Sequence, residues 1–438
     1  MKLLIHNARI ADGIAADAYT GWVSVVDDTI EAVGCGEASQ FDIDAADEVV
    51  DACGDVLMPG GIDCHVHFRE PGLESKATIA SESRAALAGG ITSFIDMPNT
   101  KPTTTTIEAW KDKMERAAAS SAINYAFMLG ATVDNLTVLQ RADYSRVAAV
   151  KVFMGSSTGG MLLSDDSALR AVFADQPARV VVHAEDQSII DANTALFSPI
   201  ADPENMMWHT RLRSSEACVR ATERAMELAA RYGTRLHIAH LTTREEVALF
   251  DPSQSPVGRA ITAEVSPHHL LFTADDYARL GSRIKMNPAV KYAADREALR
   301  RGLAEGRIDI VATDHAPHRL ADKQGDVFRA ASGAPMVQFS LPAVMTIYGG
   351  DAAFVARRMA AAPAALYGIE RRGRLAAGCY ADMVLMHRRD VPHVVSDDDV
   401  LSLCGWTPLV GTALDWEVRR TWVNGTAGRP QPLRFASE

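Results

Sequence analysis

The sequence predicts an α/β protein, in which a (β/α)8 barrel is joined to a small β-sandwich built from both chain termini. Three observations support this fold. Eight short apolar runs of strand type recur through the middle of the chain. Helical patterns separate most of these runs. Short strand-like runs between turn residues occupy both ends of the chain.

Length and composition restrict the functional class. The chain has 438 residues, enough for one large domain and a smaller one. Its net charge of −12 argues against nucleic acid or an anionic membrane surface as a partner. No stretch approaches the roughly 20 apolar residues that span a bilayer. We therefore expect a small-molecule substrate and, if that substrate is anionic, a local cluster of positive charge to bind it.

The spacing of the cysteines and the N-terminal residues indicate the cellular compartment. The six cysteines are scattered without a Cys-x-x-Cys pair, which is typical of reduced thiols in a cytoplasm. The apolar run within residues 1–6 is too short for a signal peptide. We expect a cytoplasmic protein. The oligomeric state stays open, with a homo-oligomer, most simply a dimer, as the expectation.

The two ends of the chain share one kind of pattern. Strand-like runs lie at residues 3–5, 22–26 and 29–33 and again at 381–386 and 418–423. Because neither end alone offers a full core, we expect residues 1–55 and 371–438 to form one composite β-sandwich.

The middle of the chain, residues 56–370, alternates between strand and helix. The predicted strands are 62–67, 91–97, 123–129, 148–154, 180–183, 236–240, 260–265 and 308–313, and the clearest helices are 75–88, 107–120, 214–232 and 296–304. Eight such units close into a TIM-like parallel barrel. An open doubly wound sheet is the alternative, although no Gly-x-Gly-x-x-Gly turn follows a strand.

The ends of the predicted strands carry metal-ligand side chains. Strand alternation places His65 and His67 on one face, where two imidazoles can hold one metal ion. A pair of buried, hydrogen-bonded histidines is the ordinary alternative. Further candidates end or lie within other strands: Lys151, His183, His240 and Asp314. Because barrel chemistry sits at the carboxyl ends of the strands, their convergence on one mouth favours a metal site.

Lys151 is unusual because it lies within an apolar strand, where an unpaired ammonium group is costly. It either forms an ion pair with a carboxylate or reacts as a neutral amine with CO2 to form a carbamate that bridges two metals. With an ordinary pKa near 10.4, only about one lysine in a few thousand is neutral at pH 7. Burial beside divalent cations would raise that fraction.

A charge count favours hydrolysis. Two zinc-like ions bring four positive charges, and a carbamate, Asp314 and one hydroxide remove three. The remaining charge suits a site that polarises a carbonyl and accepts an anion. Imidazole and oxygen ligands suit zinc, with manganese and cobalt as alternatives.

Two long motifs carry a resemblance to a known family. They are Asp63-Cys-His-Val-His-Phe-Arg-Glu-Pro-Gly72 and Ala312-Thr-Asp-His-Ala-Pro-His318, the second followed by Lys323. Shorter matches lie at residues 97–100, 151–154, 209–217, 235–241 and 406–411. In these motifs the chain resembles the cyclic amidohydrolases of the amidohydrolase superfamily, and among them the dihydroorotase family of the longer bacterial type. The resemblance runs from end to end.

The resemblance implies two Zn²⁺ ions per chain, bridged by carboxylated Lys151 and a hydroxide. One metal would bind His65, His67 and Asp314, and the other His183 and His240. The implied reaction is the reversible cyclisation of N-carbamoyl-L-aspartate to L-dihydroorotate in de novo pyrimidine biosynthesis. Asp314 would be catalytic, as a general base and then an acid.

Substrate contacts separate the members of this superfamily. Dihydroorotate carries a carboxylate, which the guanidinium of Arg69 at the mouth can bind bidentately. The resemblance places Asn99 and His318 in the same pocket and Asn287 at the substrate ring. An allantoinase or dihydropyrimidinase is the nearest alternative, and a catalytically inactive scaffold is the alternative of another class. The alternative for Arg69 itself is an ordinary surface arginine without a role in binding.

Three further residues have expected supporting positions. Asp63 is expected to orient a ligand histidine, because metal-bound imidazoles usually donate to a carboxylate or carbonyl. His268 and His269 follow the seventh strand and are candidates either for support of the site or for the cap of a helix.

Overall fold

The computed structural model describes residues 1–156, 160–175, 177–252, 259–426 and 428–436. Its strands form a seven-stranded sheet, a six-stranded sheet and a three-stranded sheet. The two smaller sheets are parallel and make up the barrel. Their strands are Gly61–Val66, Ile91–Asp96, Asn124–Phe127, Leu129–Gly130, Val150–Phe153, Val180–His183, Leu236–Ile238, Ile261–Val265 and Ile310–Val311.

Eight strand positions close this barrel. Leu129–Gly130 continues the third strand and pairs with the fourth. The first and last strands meet through a parallel bridge between Val66 and His315, and the backbone N–H of His67 donates to the His315 carbonyl at 2.8 Å. The predicted (β/α)8 architecture is confirmed.

Helices follow most barrel strands. The described α-helices are Gln40–Asp44, Ile79–Ala88, Ile107–Ser120, Leu136–Arg141, Asp166–Ala174, Gln187–Phe197, Trp208–Leu212, Ser215–Tyr232, Arg244–Ala248, Pro267–Leu271, Tyr277–Leu280, Ala293–Glu305, Ser340–Ile347, Ala352–Ala356 and Ala362–Tyr367. The first barrel helix begins at Ile79 rather than at residue 75, because the Thr78 side chain caps it by accepting from the backbone N–H of Ser81. Across the residues described, every helix is too short or too polar to cross a membrane.

Both chain ends contribute to the seven-stranded sheet. Its order is Ala413–Trp422, Met383–Val394, Val56–Pro59, Lys2–Ile10, Tyr19–Val26 and Thr29–Cys35, with Glu48–Asp51 paired beside Lys2–Ile10. Val56–Pro59 joins the two ends, since it runs parallel to Lys2–Ile10 and antiparallel to Met383–Val394. Leu3, Leu57 and Met383 share one apolar cluster. A small β unit built from both termini is therefore confirmed, and hydrogen bonds connect all its strands.

The barrel interior is apolar below the strand ends. Ile95, Val181 and Ile310 from three different strands pack in one cluster with Tyr367 of the helix Ala362–Tyr367. This packing fixes the strands relative to one another. The polar side chains at the carboxyl ends of the strands are held on that rigid base.

Candidate active site

One cavity lies at the carboxyl ends of the barrel strands. Its lining is His65, His67, Arg69, Asn99, Phe153, His183, His240, Asn287, Asp314, Ala316, Ser332 and Gly333. It contains every site residue that the sequence predicted except Lys151 and His318. Lys151 Nζ lies 5.2 Å from the centre of the Phe153 ring, and His318 contacts Arg69, so both lie directly beside the cavity.

His65, His67 and Asp314 form the first candidate metal-binding group. The Nε2 atoms of His65 and His67 lie 3.3 and 2.9 Å from Asp314 Oδ1. The ligand atoms of the three residues all lie within 4.8 Å of one another. Ligands about 2.0–2.1 Å from a tetrahedral zinc ion are separated by roughly 3.3 Å. The donor set and its spacing fit one such ion.

His183 and His240 form a second pair. His183 Nδ1 lies 3.0 Å from His240 Nε2, and His183 Nε2 lies 2.9 Å from Glu185 Oε2. Since a carboxylate only accepts, the His183 proton belongs on Nε2, which leaves the Nδ1 lone pair for a metal. The rings of His65 and His240 are 5.3 Å apart, so the two groups are neighbours.

Lys151 is fully buried, and its charge interacts with His65, His183 and His240 of the two groups. Its Nζ has no hydrogen-bond partner among the described residues, and none of their carboxylates pairs with it. Burial lowers the pKa of Lys151 to about 8, while Glu264 and Asp314 act to raise it. An isolated ammonium at this depth is strongly unfavourable. The ion pair with a carboxylate, one of the two alternatives for this lysine, is not observed among the described residues.

Three site residues have left-handed backbone conformations. The φ angles are 68° at Arg69, 37° at His240 and 48° at Asp314. Such conformations cost on the order of 1–3 kcal/mol for a residue other than glycine and persist where the surrounding structure enforces them. The fold therefore fixes these three side chains at the cavity at some cost in stability.

Asp63 does not have the position predicted for it beside a ligand imidazole. Its carboxylate accepts from the backbone N–H of Thr313 at 3.0 Å and from the Thr313 hydroxyl at 2.6 Å. It also accepts from the backbone N–H of His65 at 3.3 Å, and it contacts no imidazole. The prediction that Asp63 orients a ligand ring is wrong. The carboxylate beside the His65 ring is Glu264, at 2.5 Å from Nδ1.

Asp314 is held in its ionised form. Burial alone would raise the pKa of Asp314, but the neighbouring His65 and His67, whose Nε2 atoms face Oδ1, hold it well below its usual value. The ionised carboxylate can therefore bind a cation.

Arg69 brings positive charge to the cavity lining, and Lys76 lies close to it. Arg69 is buried, its Nε donates to the Pro317 carbonyl at 3.0 Å, and its Nη2 lies 3.1 Å from His318 Nε2. Lys76 Nζ lies 3.0 Å from His318 Nδ1. Burial and these two cations hold the pKa of His318 well below its usual value, so the ring is neutral. This group can attract an anion in a protein of net charge −12.

The two asparagines have different surroundings. Asn99 Oδ1 accepts from His67 Nδ1 at 2.7 Å, so its carbonyl orients a candidate ligand. Asn287 Oδ1 is buried without a hydrogen-bond partner in the described chain. His269 Nε2 lies 3.2 Å from the Pro288 carbonyl and supports the Asn287 loop. His268 lies in the same helix, Pro267–Leu271.

Comparison with known proteins places this site in a family. Residues 56–428 match the amidohydrolase family. The chain belongs to the amidohydrolase family. A dihydroorotase of Halobacterium salinarum is 39% identical over 416 residues, covering 93% of this chain and 92% of that protein. A dihydroorotase of Methanosarcina mazei is 32% identical and covers 85% and 83% of the two chains. The resemblance found in the sequence motifs is confirmed.

Solved structures share the whole fold of this amidohydrolase. An L-hydantoinase (dihydropyrimidinase) from Arthrobacter aurescens superposes with a TM-score of 0.90 at 27% identity, covering 98% of this chain and 97% of that one. A dihydropyrimidinase from Brevibacillus agri gives a TM-score of 0.86 at 23% identity, with both chains fully covered, and shows the fold alone. The chain is a metal-dependent cyclic amidohydrolase.

Sequence reasoning missed several charged residues of this amidohydrolase site. Glu264 lies within the apolar strand Ile261–Val265, which is the same signal that identified Lys151. Glu185 follows His183 by two residues and is paired with Arg213. Burial alone would raise the pKa of Glu185, but Arg213 and His183 lower it to about 2. Lys76 falls within the predicted helix 75–88, where no pattern distinguished it, and the structure places it in the loop before Ile79.

Proposed function

We propose that this amidohydrolase is a dihydroorotase, which interconverts N-carbamoyl-L-aspartate and L-dihydroorotate in de novo pyrimidine biosynthesis. The observation that carries the proposal is the group formed by buried Arg69 and His318 and partly exposed Lys76, beside the His-His-Asp group. A carboxylate distinguishes dihydroorotate from hydantoins and dihydropyrimidines, and this group offers a carboxylate several charged or polar donors. The dihydroorotases among its relatives support the same substrate.

We infer that two zinc ions occupy the centre. His65, His67 and Asp314 would hold one, His183 and His240 the other, and carboxylated Lys151 would lie between them. Bound ions of this kind polarise a carbonyl and lower the pKa of water. The spacing of the donors and the unpartnered, buried Nζ of Lys151 support this assignment.

Asp314 is the proton carrier in the proposed reaction. In the hydrolytic direction its carboxylate accepts a proton from the water that attacks the ring amide, and then returns that proton to the leaving ring nitrogen. His65 and His67 both contact Oδ1, which fixes the direction of the carboxylate. In the direction of cyclisation the same steps run in reverse.

Arg69 and Asn287 orient the substrate in this proposal. The guanidinium of Arg69 is held by the Pro317 carbonyl before the substrate arrives, so little freedom is lost when it binds the carboxylate. The buried and unpartnered Oδ1 of Asn287 can accept from a ring N–H. These two contacts would place the ring amide beside Asp314.

Substrate preference tests the proposal directly. We expect kcat/KM for dihydroorotate to exceed that for hydantoin and for allantoin by at least about 100-fold, because charge-assisted hydrogen bonds contribute about 1.5–3 kcal/mol each. A spectrophotometric assay of all three compounds on one metal-loaded preparation measures this. Preferred hydrolysis of hydantoin would assign the second candidate, a hydantoinase, which the structural neighbour supports. No turnover of any compound by metal-loaded protein would indicate a scaffold.

A further inference from the structure

Glu264 connects the two candidate metal-binding groups. Its Oε1 lies 2.5 Å from His65 Nδ1 and accepts from the backbone N–H of His240 at 3.3 Å. Its Oε2 lies 3.0 Å from His237 Nε2. Glu264 is completely buried. One carboxylate thus contacts a residue of each group without itself lining the cavity.

These contacts constrain one residue in each group. Because the carboxylate only accepts, His65 must carry its proton on Nδ1, which leaves the Nε2 lone pair on the side of Asp314. The hydrogen bond from the His240 backbone N–H to Glu264 holds His240 at a φ of 37°, a conformation that residues other than glycine rarely adopt. The carboxylate therefore fixes a ring on one side of the centre and a main chain on the other.

The charge of Glu264 is also unusual. Glu185 is neutralised by Arg213, whereas Glu264 pairs only with the imidazoles of His65 and His237 among the described residues. A buried carboxylate without a permanent cation is unfavourable in an empty site. The charge count of the proposed centre leaves one positive charge after Asp314, the carbamate and one hydroxide. Glu264 supplies the negative charge that balances it.

We propose that Glu264 is a positioning residue for both halves of the metal centre and its buried counter-charge. This inference rests on the proposed metal centre. It predicts that the negative charge of Glu264 strengthens metal binding, beyond the hydrogen bonds that its oxygen atoms accept.

Glu264→Gln separates the charge from the hydrogen bonds. The amide oxygen can still accept from His65 Nδ1 and from the backbone N–H of His240. The new amide NH2 would then face His237 Nε2. His237 can accept there if its proton moves to Nδ1, which lies 2.9 Å from the Thr262 hydroxyl. The variant can therefore keep its local geometry while it loses the charge.

Zinc affinity of the full chain is the test. With Zn²⁺ alone and a competing chelator, we expect Glu264→Gln to bind zinc about 10- to 100-fold more weakly than the wild type. Glu246→Gln is the matched control, since Glu246 is also buried but, among the described residues, its carboxylate accepts only from threonine side chains and backbone N–H groups. His237→Gln tests whether the loss of zinc affinity arises from the contact between Glu264 and His237. Both controls should bind zinc within about twofold of the wild type.

The outcomes distinguish this inference from the proposed function. Wild-type protein that binds no zinc would overturn the metal centre itself. Wild-type binding with unchanged affinity in folded Glu264→Gln, or an equal loss in Glu246→Gln, would overturn the role of Glu264 alone. If Glu264→Gln does not fold, Glu264→Asp keeps the charge but withdraws it from His65. We expect that variant to bind zinc at least about 10-fold more weakly, and unchanged affinity would contradict the positioning role.

Discussion

Replacing Lys151 by alanine should reduce kcat/KM for dihydroorotate by at least about 1000-fold. A metal that polarises a carbonyl contributes several kcal/mol, and each 1.36 kcal/mol corresponds to a factor of ten in rate. The buried Nζ of Lys151 has no hydrogen-bond partner in the described chain, and in the proposed centre its carbamate would supply the shared anionic ligand. Its removal should also lower the zinc content, which elemental analysis of the same preparation measures.

Chemical rescue separates a carbamate from other roles of Lys151. Short carboxylic acids such as propionate should restore part of the activity of Lys151→Ala, because they return a carboxylate to the space left by the side chain. They should not stimulate the wild type or Lys111→Ala, a control at an exposed lysine of the helix Ile107–Ser120. Unchanged activity in Lys151→Ala would eliminate the bridging carbamate.

Arg69→Met should lower kcat/KM for dihydroorotate by about 10- to 100-fold or more while the zinc content stays at the wild-type level. The expected loss is that of one or two charge-assisted hydrogen bonds to the substrate carboxylate. Arg69 contacts Pro317 and His318 but no candidate metal ligand, so the centre should remain intact. The steady-state assay and metal analysis of the purified variant measure both quantities.

Arg319→Met is the matched control for this prediction. Arg319 is an exposed arginine immediately after His318, and its Nη2 pairs with Asp322 at 2.8 Å. Its replacement should leave turnover of dihydroorotate within about twofold of the wild type. Loss of zinc from Arg69→Met with unchanged KM for dihydroorotate would mean that Arg69 has a structural role instead.

The barrel was predictable because each of its strands is a short, buried apolar run between turn signals. Val180–His183 and Ile107–Ser120 have the predicted bounds. Lys151 could be identified because an unpaired charged side chain within a buried apolar strand is unfavourable unless it has a specific role. His65 and His67 both reach Asp314 as alternation suggested, although the pairing of their strand is irregular between Asp63 and Val66.

The site residues that the sequence did not predict depend on contacts between distant parts of the chain, which the spacing of residues does not reveal. His65 and Glu264 are 199 residues apart, and only closure of the barrel brings them together. Asp63 was expected to orient a ligand histidine because metal-bound imidazoles usually donate to a carboxylate or carbonyl. Its carboxylate instead accepts a hydrogen bond from the backbone N–H of Thr313, two residues after the last barrel strand, Ile310–Val311. Lys76 reaches His318 across 242 residues of chain from a loop without a recognisable pattern.

The central claim is that this chain hydrolyses dihydroorotate at a binuclear metal centre. Its most direct test is activity on dihydroorotate as a function of zinc per chain, with both quantities determined on one sample of chelator-treated protein supplied with bicarbonate. We predict negligible turnover without metal and a rise to a plateau at two zinc ions per chain. Full activity in metal-free protein, or no hydrolysis of dihydroorotate at any zinc loading, would contradict the account.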